Sequence, residues 1–170
     1  PLTNIAHLLQ AHPGVATRIE RLIVMGGAVD VPGNVTPHAE FNVWADPEAA
    51  QAVLTSGLPV TLIGLDVCRH VYLTRRDFKD GGGTVGTMIR GWFAAHSELT
   101  RFELCDPLAI AAIVEPGLIE TESVALDVDT SRGTERGRTL RASHGATVDV
   151  ALRVEAAKAK QLMVGRATSL

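Results

Sequence analysis

Two short apolar runs, each stopped at its C-terminal end by glycine or a polar residue, set the fold this chain can take. Ile19 to Met25 stops at Gly26-Gly27, and Leu58 to Leu65, with Val60, Thr61, Leu62 and Ile63 at its centre, is followed by Asp66. Continuous apolar runs of this length read as strands covered on both faces of a parallel sheet. Between them, Asp46-Pro47-Glu48 spells a helix start: aspartate as N-cap, proline at the first helical position and an acid in the first turn, continued by Ala49 to Leu54. The βαβ rhythm predicts an α/β chain with an open, mostly parallel sheet and flanking helices.

Other elements fit around this frame. Ile5, Leu8 and Leu9 recur at helical spacing, with Thr3 or Asn4 as cap, and Pro13-Gly14 ends that helix. Ala28 to Trp44 has no usable period and is expected to be a long ordered loop, a place where function tends to sit. After the Gly81-Gly82-Gly83 break, Thr84 to Leu99 is expected to be helical, with Met88, Trp92, Ala95 and Leu99 on one face. Asp106-Pro107 opens an apolar helix over Leu108 to Val114. Glu122 to Asp129 and Thr147 to Leu152 alternate as strands of a possible hairpin, and Val154 to Val164 closes the chain as a helix. Residues 1–170 show no linker that would divide them, and are read as part of one domain.

The 16 basic and 19 acidic residues give a formal net charge of -3, so no basic field argues for nucleic acid or an anionic membrane as partner. Apolar runs such as Ala109 to Val114 fall far short of the ~20 residues that a membrane-spanning helix needs. Two widely spaced cysteines, Cys68 and Cys105, suit a reducing compartment, and a cytoplasmic location is expected. The chain enters a helical pattern at Pro1-Leu2-Thr3-Asn4 with no initiating methionine, which suggests a piece of a longer α/β protein.

In open parallel sheets, ligands bind beyond the carboxyl ends of the strands. That rule selects the Met25 to Asn42 loop, the Asp66 loop and the Cys105-Asp106 turn. Asn34, Glu40 and Asn42 offer groups that bind hydroxyls, and a polyol is a natural ligand for them. The plainer reading is that Asn34 serves a turn after Gly33 and that Glu40 is simply exposed. Asp106 reads either as an N-cap, like Asp46, or as a ligand of a hard cation, whose remaining oxygens must come from elsewhere because Ca²⁺ takes about 6–8 of them. His38, His70, His96 and His144 have no zinc-ligand spacing. His96, on the helix with Trp92 and Phe93, is placed to contact a base or protonate a leaving group, though core packing of Trp92 explains the same pattern. Neither cysteine sits in a motif with a base.

The series Val24-Met25-Gly26-Gly27-Ala28, Pro32-Gly33-Asn34-Val35-Thr36-Pro37, Ala39-Glu40-Phe41-Asn42 and Ala45-Asp46-Pro47-Glu48-Ala49-Ala50 resembles the inosine-uridine type nucleoside hydrolase family. Pro1 to Ala6, Gly64-Leu65-Asp66 and Asp106-Pro107-Leu108-Ala109 are similar to further segments of it, so the resemblance runs along the whole chain. It implies a ribose site made by Met25, Asn34, Glu40, Asn42 and Asp106, and a Ca²⁺ ion for which Asp106 is the one ligand present. The family's other metal ligands and its general base belong to an N-terminal aspartate-rich segment preceding the counterpart of Pro1. Where many members carry a histidine as leaving-group acid, this chain has Cys105, as does a subgroup of the family.

The resemblance implies hydrolysis of the N-glycosidic bond of ribonucleosides to ribose and free base, in purine or pyrimidine salvage, by a dimer or tetramer. With the N-terminal strands missing, the chain is expected to be an incomplete and inactive part of that enzyme, with an unpaired sheet edge prone to association. The alternatives are a non-catalytic ribose- or nucleoside-binding module and a remnant without function.

Overall fold

A computed structural model describes residues 1–77 and 82–167, with nothing said of the side chains at positions 166 and 167. Gly81 of the predicted glycine break therefore lies outside the described residues. The chain divides into two compact units, Pro1–Val67 with Glu120–Arg153, and Cys68–Ile119 with Val154–Leu170.

In the first unit, helix α1 (Thr3–Ala11) and a 3₁₀ turn (Pro13–Arg18) precede strand β1 (Leu22–Met25). The cap differs from expectation: α1 starts after Leu2 with no side-chain cap, because the Thr3 hydroxyl is turned to the Asp46 carboxylate instead. After β1 come a long loop, a short helix α2 (Phe41–Ala45), helix α3 (Pro47–Leu54) and strand β2 (Val60–Ile63). The start of α3 is as read from the sequence, with Asp46 accepting from Ala49 N at 3.0 Å and Pro47 at the first turn. The unit is completed by β5 (Ile119–Val128), β6 (Thr139–Arg141) and β7 (Thr147–Val154), numbered in chain order.

These strands form one sheet in the order β1-β2-β7-β5-β6. β1 runs parallel to β2, with Val24 opposite Leu62, and β2 runs parallel to β7, with Leu62 opposite Val150. β5 and β6 are antiparallel, Asp127 facing Leu140. The late hairpin is thus β5–β6, and β7 lies on the other side of β5. All four residues of β2 are buried, as its continuous apolar run requires, whereas only Val24 of β1 is. β1 is less covered because it has a neighbouring strand on one side only among the described residues. Val24, Leu54, Leu62, Leu126, Val128 and Val150 form the centre of the core, where each such side chain contributes roughly 1.5–3 kcal/mol by leaving water. Gln51 ties α3 to β5, its amide oxygen accepting from Val128 N at 2.5 Å and its nitrogen donating to Asp127 at 3.1 Å.

In the second unit, β3 (Tyr72–Thr74) and β4 (Arg101–Glu103) pair antiparallel, and α5 (Gly83–Ala95) lies between them in sequence. The predicted apolar face of α5 is corrected: Met88 is 68% exposed, and the buried positions are Gly86 and Phe93. Arg75 closes the end of α5, donating to the carbonyls of Phe93 (2.9 Å), Ser97 (3.1 Å) and Leu99 (3.2 Å), with its guanidinium 4.9 Å from the Phe93 ring centre. Helix α6 (Cys105–Val114) and the closing helix α7 (Ala156–Ala167) pack together. α4 (Leu65–Cys68) is a single turn just past β2. No helix among the described residues is long and apolar enough to cross a membrane.

Candidate functional site

The loop leaving the carboxyl end of β1 turns at once through Gly26 and Gly27, and Gly27 adopts φ +80°, a left-handed conformation that a side chain would strain. Further on, Gly33 packs so closely on the Ala39 backbone that a Cβ would overlap it. Asn34 N and Val35 N both donate to Ala39 O, at 3.1 and 3.2 Å, so the middle of the loop folds into a compact knot. An isolated bridge between Ala39 and Arg138 ties that knot to the chain entering β6.

Glu40 is the centre of this arrangement and is 2% exposed, which removes the reading of it as a surface acid. Its Oε1 accepts from Asn42 N at 2.9 Å; its Oε2 accepts from Gly27 N at 3.0 Å and Val43 N at 3.2 Å. A carboxylate offers about four acceptor sites, so these three bonds leave room for roughly one more. Glu40 thereby caps α2 and joins it to the turn after β1, which explains how so buried a carboxyl is tolerated.

Asn42 stands in the first turn of α2, and its amide nitrogen lies 3.3 Å from both Met25 O and Met25 Sδ. Asn34 accepts from Phe41 N at 2.9 Å and is exposed. It does not hold the strained backbone that a turn role after Gly33 would favour: no residue other than glycine has positive φ among those described. Met25 and Asn42 share the wall of a groove of about 280 Å³ with Leu22, Ile23 and Gly26, a groove that Asn34 and Glu40 do not line. The structure therefore gathers Met25, Glu40 and Asn42 at one strand end through shared hydrogen bonds, with Asn34 fixed to the same short helix.

The remaining candidates are in the second unit. Asp106 lies inside the first turn of α6 and is exposed; the cap position is held by Leu104, with no side-chain cap. The N-cap reading of Asp106 is thus corrected, and its carboxylate is left near the positive end of the helix macrodipole. Cys105 precedes it, half-buried. His96 stacks on Trp92, ring centres 4.7 Å apart at 25°, and Trp92 meets Phe102 edge-on at 4.7 Å. His96 Nδ1 lies 2.9 Å from Trp92 O. A carbonyl only accepts, so Nδ1 carries a proton and Nε2 is the nitrogen left for other partners.

Among the described residues, no three or more His, Cys, Asp or Glu side chains gather as a metal site. Asp106 on its own falls far short of the coordination a calcium ion takes.

The sequence reading marked the Asp66 loop but gave Asp66 no role. Its carboxylate is buried and accepts from Val29 N and Asp30 N, at 3.0 and 2.8 Å. The signal available was its place directly after a buried strand. Nothing local announced the partnership of Asp30 with Arg141, 111 positions apart, at 2.7 and 3.0 Å; these bonds hold the Asp30 carboxyl below the usual carboxylate range.

The fold has counterparts among known proteins. A plant nucleoside hydrolase matches with a TM-score of 0.89 at 28% identity, over 100% of this chain and 60% of its own. A purine-preferring ribonucleoside hydrolase from Gardnerella vaginalis matches with a TM-score of 0.86 at 32% identity, over 99% of this chain and 58% of its own. In sequence, the pyrimidine-specific ribonucleoside hydrolase RihA of Salmonella paratyphi C is 36% identical over 151 aligned positions, in a match that covers 82% of this chain and 48% of the relative. That of Escherichia coli O8 is 38% identical over 152 residues, with the same shares. The chain thus spans about half the length of these curated relatives. The profile of the inosine-uridine preferring nucleoside hydrolases matches residues 1–161, nearly the whole length, and the chain belongs to that family.

Proposed function

We propose that the protein, at the length of its relatives, hydrolyses the N-glycosidic bond of ribonucleosides to ribose and free base, and that residues 1–170 are the C-terminal part of a single domain. The observation that carries this reading is the pair of contacts from Asn42 to Met25 O and Sδ beside the buried Glu40 carboxylate. These polar groups stand where a strand of a parallel sheet ends. Asn34, Glu40, Asn42 and Met25 are assigned to the ribose, and the family resemblance assigns Asp106 to it as well.

When the glycosidic bond breaks, its electron pair leaves with the base and positive charge grows on the ribosyl ring. Hydrogen bonds accepted from the ribose hydroxyls strengthen as that charge develops, so a fixed acceptor such as Glu40 favours the transition state over bound substrate. The base departs more readily if a nitrogen on it is protonated. Cys105, at the position of the family's histidine, is the group of this chain assigned to give that proton, with His96 assigned near the base.

A calcium ion is part of the proposal, with Asp106 as one ligand. The residues described here do not by themselves make its site, so the remaining ligands are assigned to the half of the relatives' length that this chain does not span. On this reading the chain alone is inactive, and the full protein is a cytoplasmic dimer or tetramer.

Release of base from inosine, uridine and cytidine with Ca²⁺, by this chain and by a protein of the relatives' full length containing it, tests the reading. Hydrolysis by the longer protein alone supports it, and hydrolysis by this chain alone overturns the claim that it lacks part of its site. Ribose binding with no hydrolysis by either puts a non-catalytic nucleoside-binding module in its place.

A further inference from the structure

The loop that carries Asn34, Glu40 and Asn42 is closed at its far end by Glu40. At its near end the amides of Val29 and Asp30 point to a single acceptor: Val29 N donates to Asp66 Oδ2 at 3.0 Å and Asp30 N to Asp66 Oδ1 at 2.8 Å. Asp66 lies just past β2, in the single turn of α4, and is 6% exposed. The corner around it is tight. Leu65 N donates to Gly27 O at 2.9 Å, and a Cβ on Gly64 would stand 2.8 Å from Asp66 Oδ2 and 3.0 Å from Gly27 O.

Burying a carboxylate is costly unless its oxygens are bonded, and here both are bonded to one dipeptide 36 and 37 residues upstream. A residue needed only to start a one-turn helix has no reason to reach that far. The hold continues outward, since Asp30 grips Arg141 of β6 with its own side chain, and Arg141 also pairs with Glu122 of β5 at 2.8 Å.

We infer that Asp66 is a positioning residue for the ribose-binding loop: it fixes where the loop leaves β1, and thereby sets the placement of Asn34, Glu40 and Asn42 without touching the ligand. The kinetic consequence rests on the hydrolase reading above; the clamp itself rests on the hydrogen bonds. Because the loop's contacts tighten as charge builds on the ribose, misplacing it lowers kcat more than it raises KM.

The test compares the full-length protein with its D66N variant, in which an amide NH₂ replaces one of the two acceptors. Two measurements are made: amide hydrogen exchange at Val29 and Asp30, and steady-state hydrolysis of inosine and uridine. In the unmutated protein both amides should exchange at least about tenfold more slowly than in an open loop. Exchange at the open-loop rate overturns the proposal without need of any variant.

In D66N the amide that loses its acceptor, Val29 or Asp30, should exchange at least about tenfold faster while Thr61 and Leu62 of β2 keep their protection, and kcat should fall about 10- to 100-fold with a smaller change in KM. Unchanged exchange and kcat overturn the proposal. So does loss of protection at β2 in step with activity, which marks a purely structural residue. If the unmutated protein hydrolyses nothing, the hydrolase reading falls, and the exchange comparison still decides whether Asp66 clamps the loop.

Discussion

The side-chain amide of Asn42 lies 3.3 Å from both the carbonyl oxygen and the sulfur of Met25, joining the first turn of α2 to the last residue of β1. If Asn42 presents its remaining amide atoms to a ribose hydroxyl, Asn42→Ala removes a contact that strengthens in the transition state. In the full-length protein kcat/KM should fall about 30- to 300-fold, or about 2 to 3.4 kcal/mol. Kinetics with uridine and inosine check this; a change under about threefold in a folded variant removes Asn42 from the site.

Glu40 has a double burden, because its carboxylate satisfies three backbone amides before it meets any ligand. In Glu40→Gln an NH₂ replaces one oxygen and leaves at least one buried N–H facing another donor. The variant should lose about 2–4 kcal/mol of stability as well as activity. Urea denaturation reads this directly, and a midpoint equal to that of the unmutated protein contradicts the capping role.

Two glycines make a matched pair. Gly33→Ala drives a methyl into the Ala39 backbone, which cannot yield without opening the loop, whereas Gly14→Ala adds a methyl with nothing within 4 Å and no positive φ. Gly33→Ala should be destabilising by more than about 2 kcal/mol; Gly14→Ala should be neutral or stabilising by up to about 1 kcal/mol. Thermal melts of the two variants should therefore move apart, and equal melting points sink the close-packing argument.

The Asp30–Arg141 pair predicts a pH dependence. The Arg141 hydrogen bonds lower the Asp30 pKa in the folded protein. Its contribution is thus fully present above the unfolded value of about 3.9 and is lost as pH falls through the folded value. Both side chains are partly exposed, so the contribution is about 1 kcal/mol or less. The stability difference between the unmutated protein and Asp30→Asn should be constant from about pH 7 to pH 5 and shrink below about pH 4. A difference that widens on acidification has the wrong sign for this pair.

The contrast between two identical dipeptides shows what the sequence made legible. Asp46-Pro47 and Asp106-Pro107 read alike, and the first is the cap it spells, because Asp46 bonds Ala49 N within its own turn. At the second, the helix begins two residues earlier, at Cys105 after Leu104, and the aspartate falls inside the first turn. A cap is a local event, but where a helix starts is settled also by what its neighbours bury. Similarly, the long run at β2 was legible because burial on both faces writes itself into every residue. β3, β4 and β6, three residues each, are too short for any period and exist through their partners.

Within the candidate site, the residue types were legible from the loop, and their joints were not. Asn34, Glu40 and Asn42 stand out as polar groups after a strand. That Glu40 is buried, and that Asp66 holds Val29 and Asp30, depends on amides brought together from distant positions, for which a linear pattern has no marker.

The strand order β1-β2-β7-β5-β6 places β7, the last of these five in chain order, between β2 and β5. During synthesis, β1 and β2 on one side and the β5–β6 hairpin on the other have no strand joining them until Thr147 to Val154 have left the ribosome. Non-local closure of this kind is slow, so the two sides of the sheet are joined only once β7 has been made. A stop between Arg141 and Thr147 would not trim an edge; it would leave two half-sheets with facing open flanks, the form of nascent chain that most needs a chaperone.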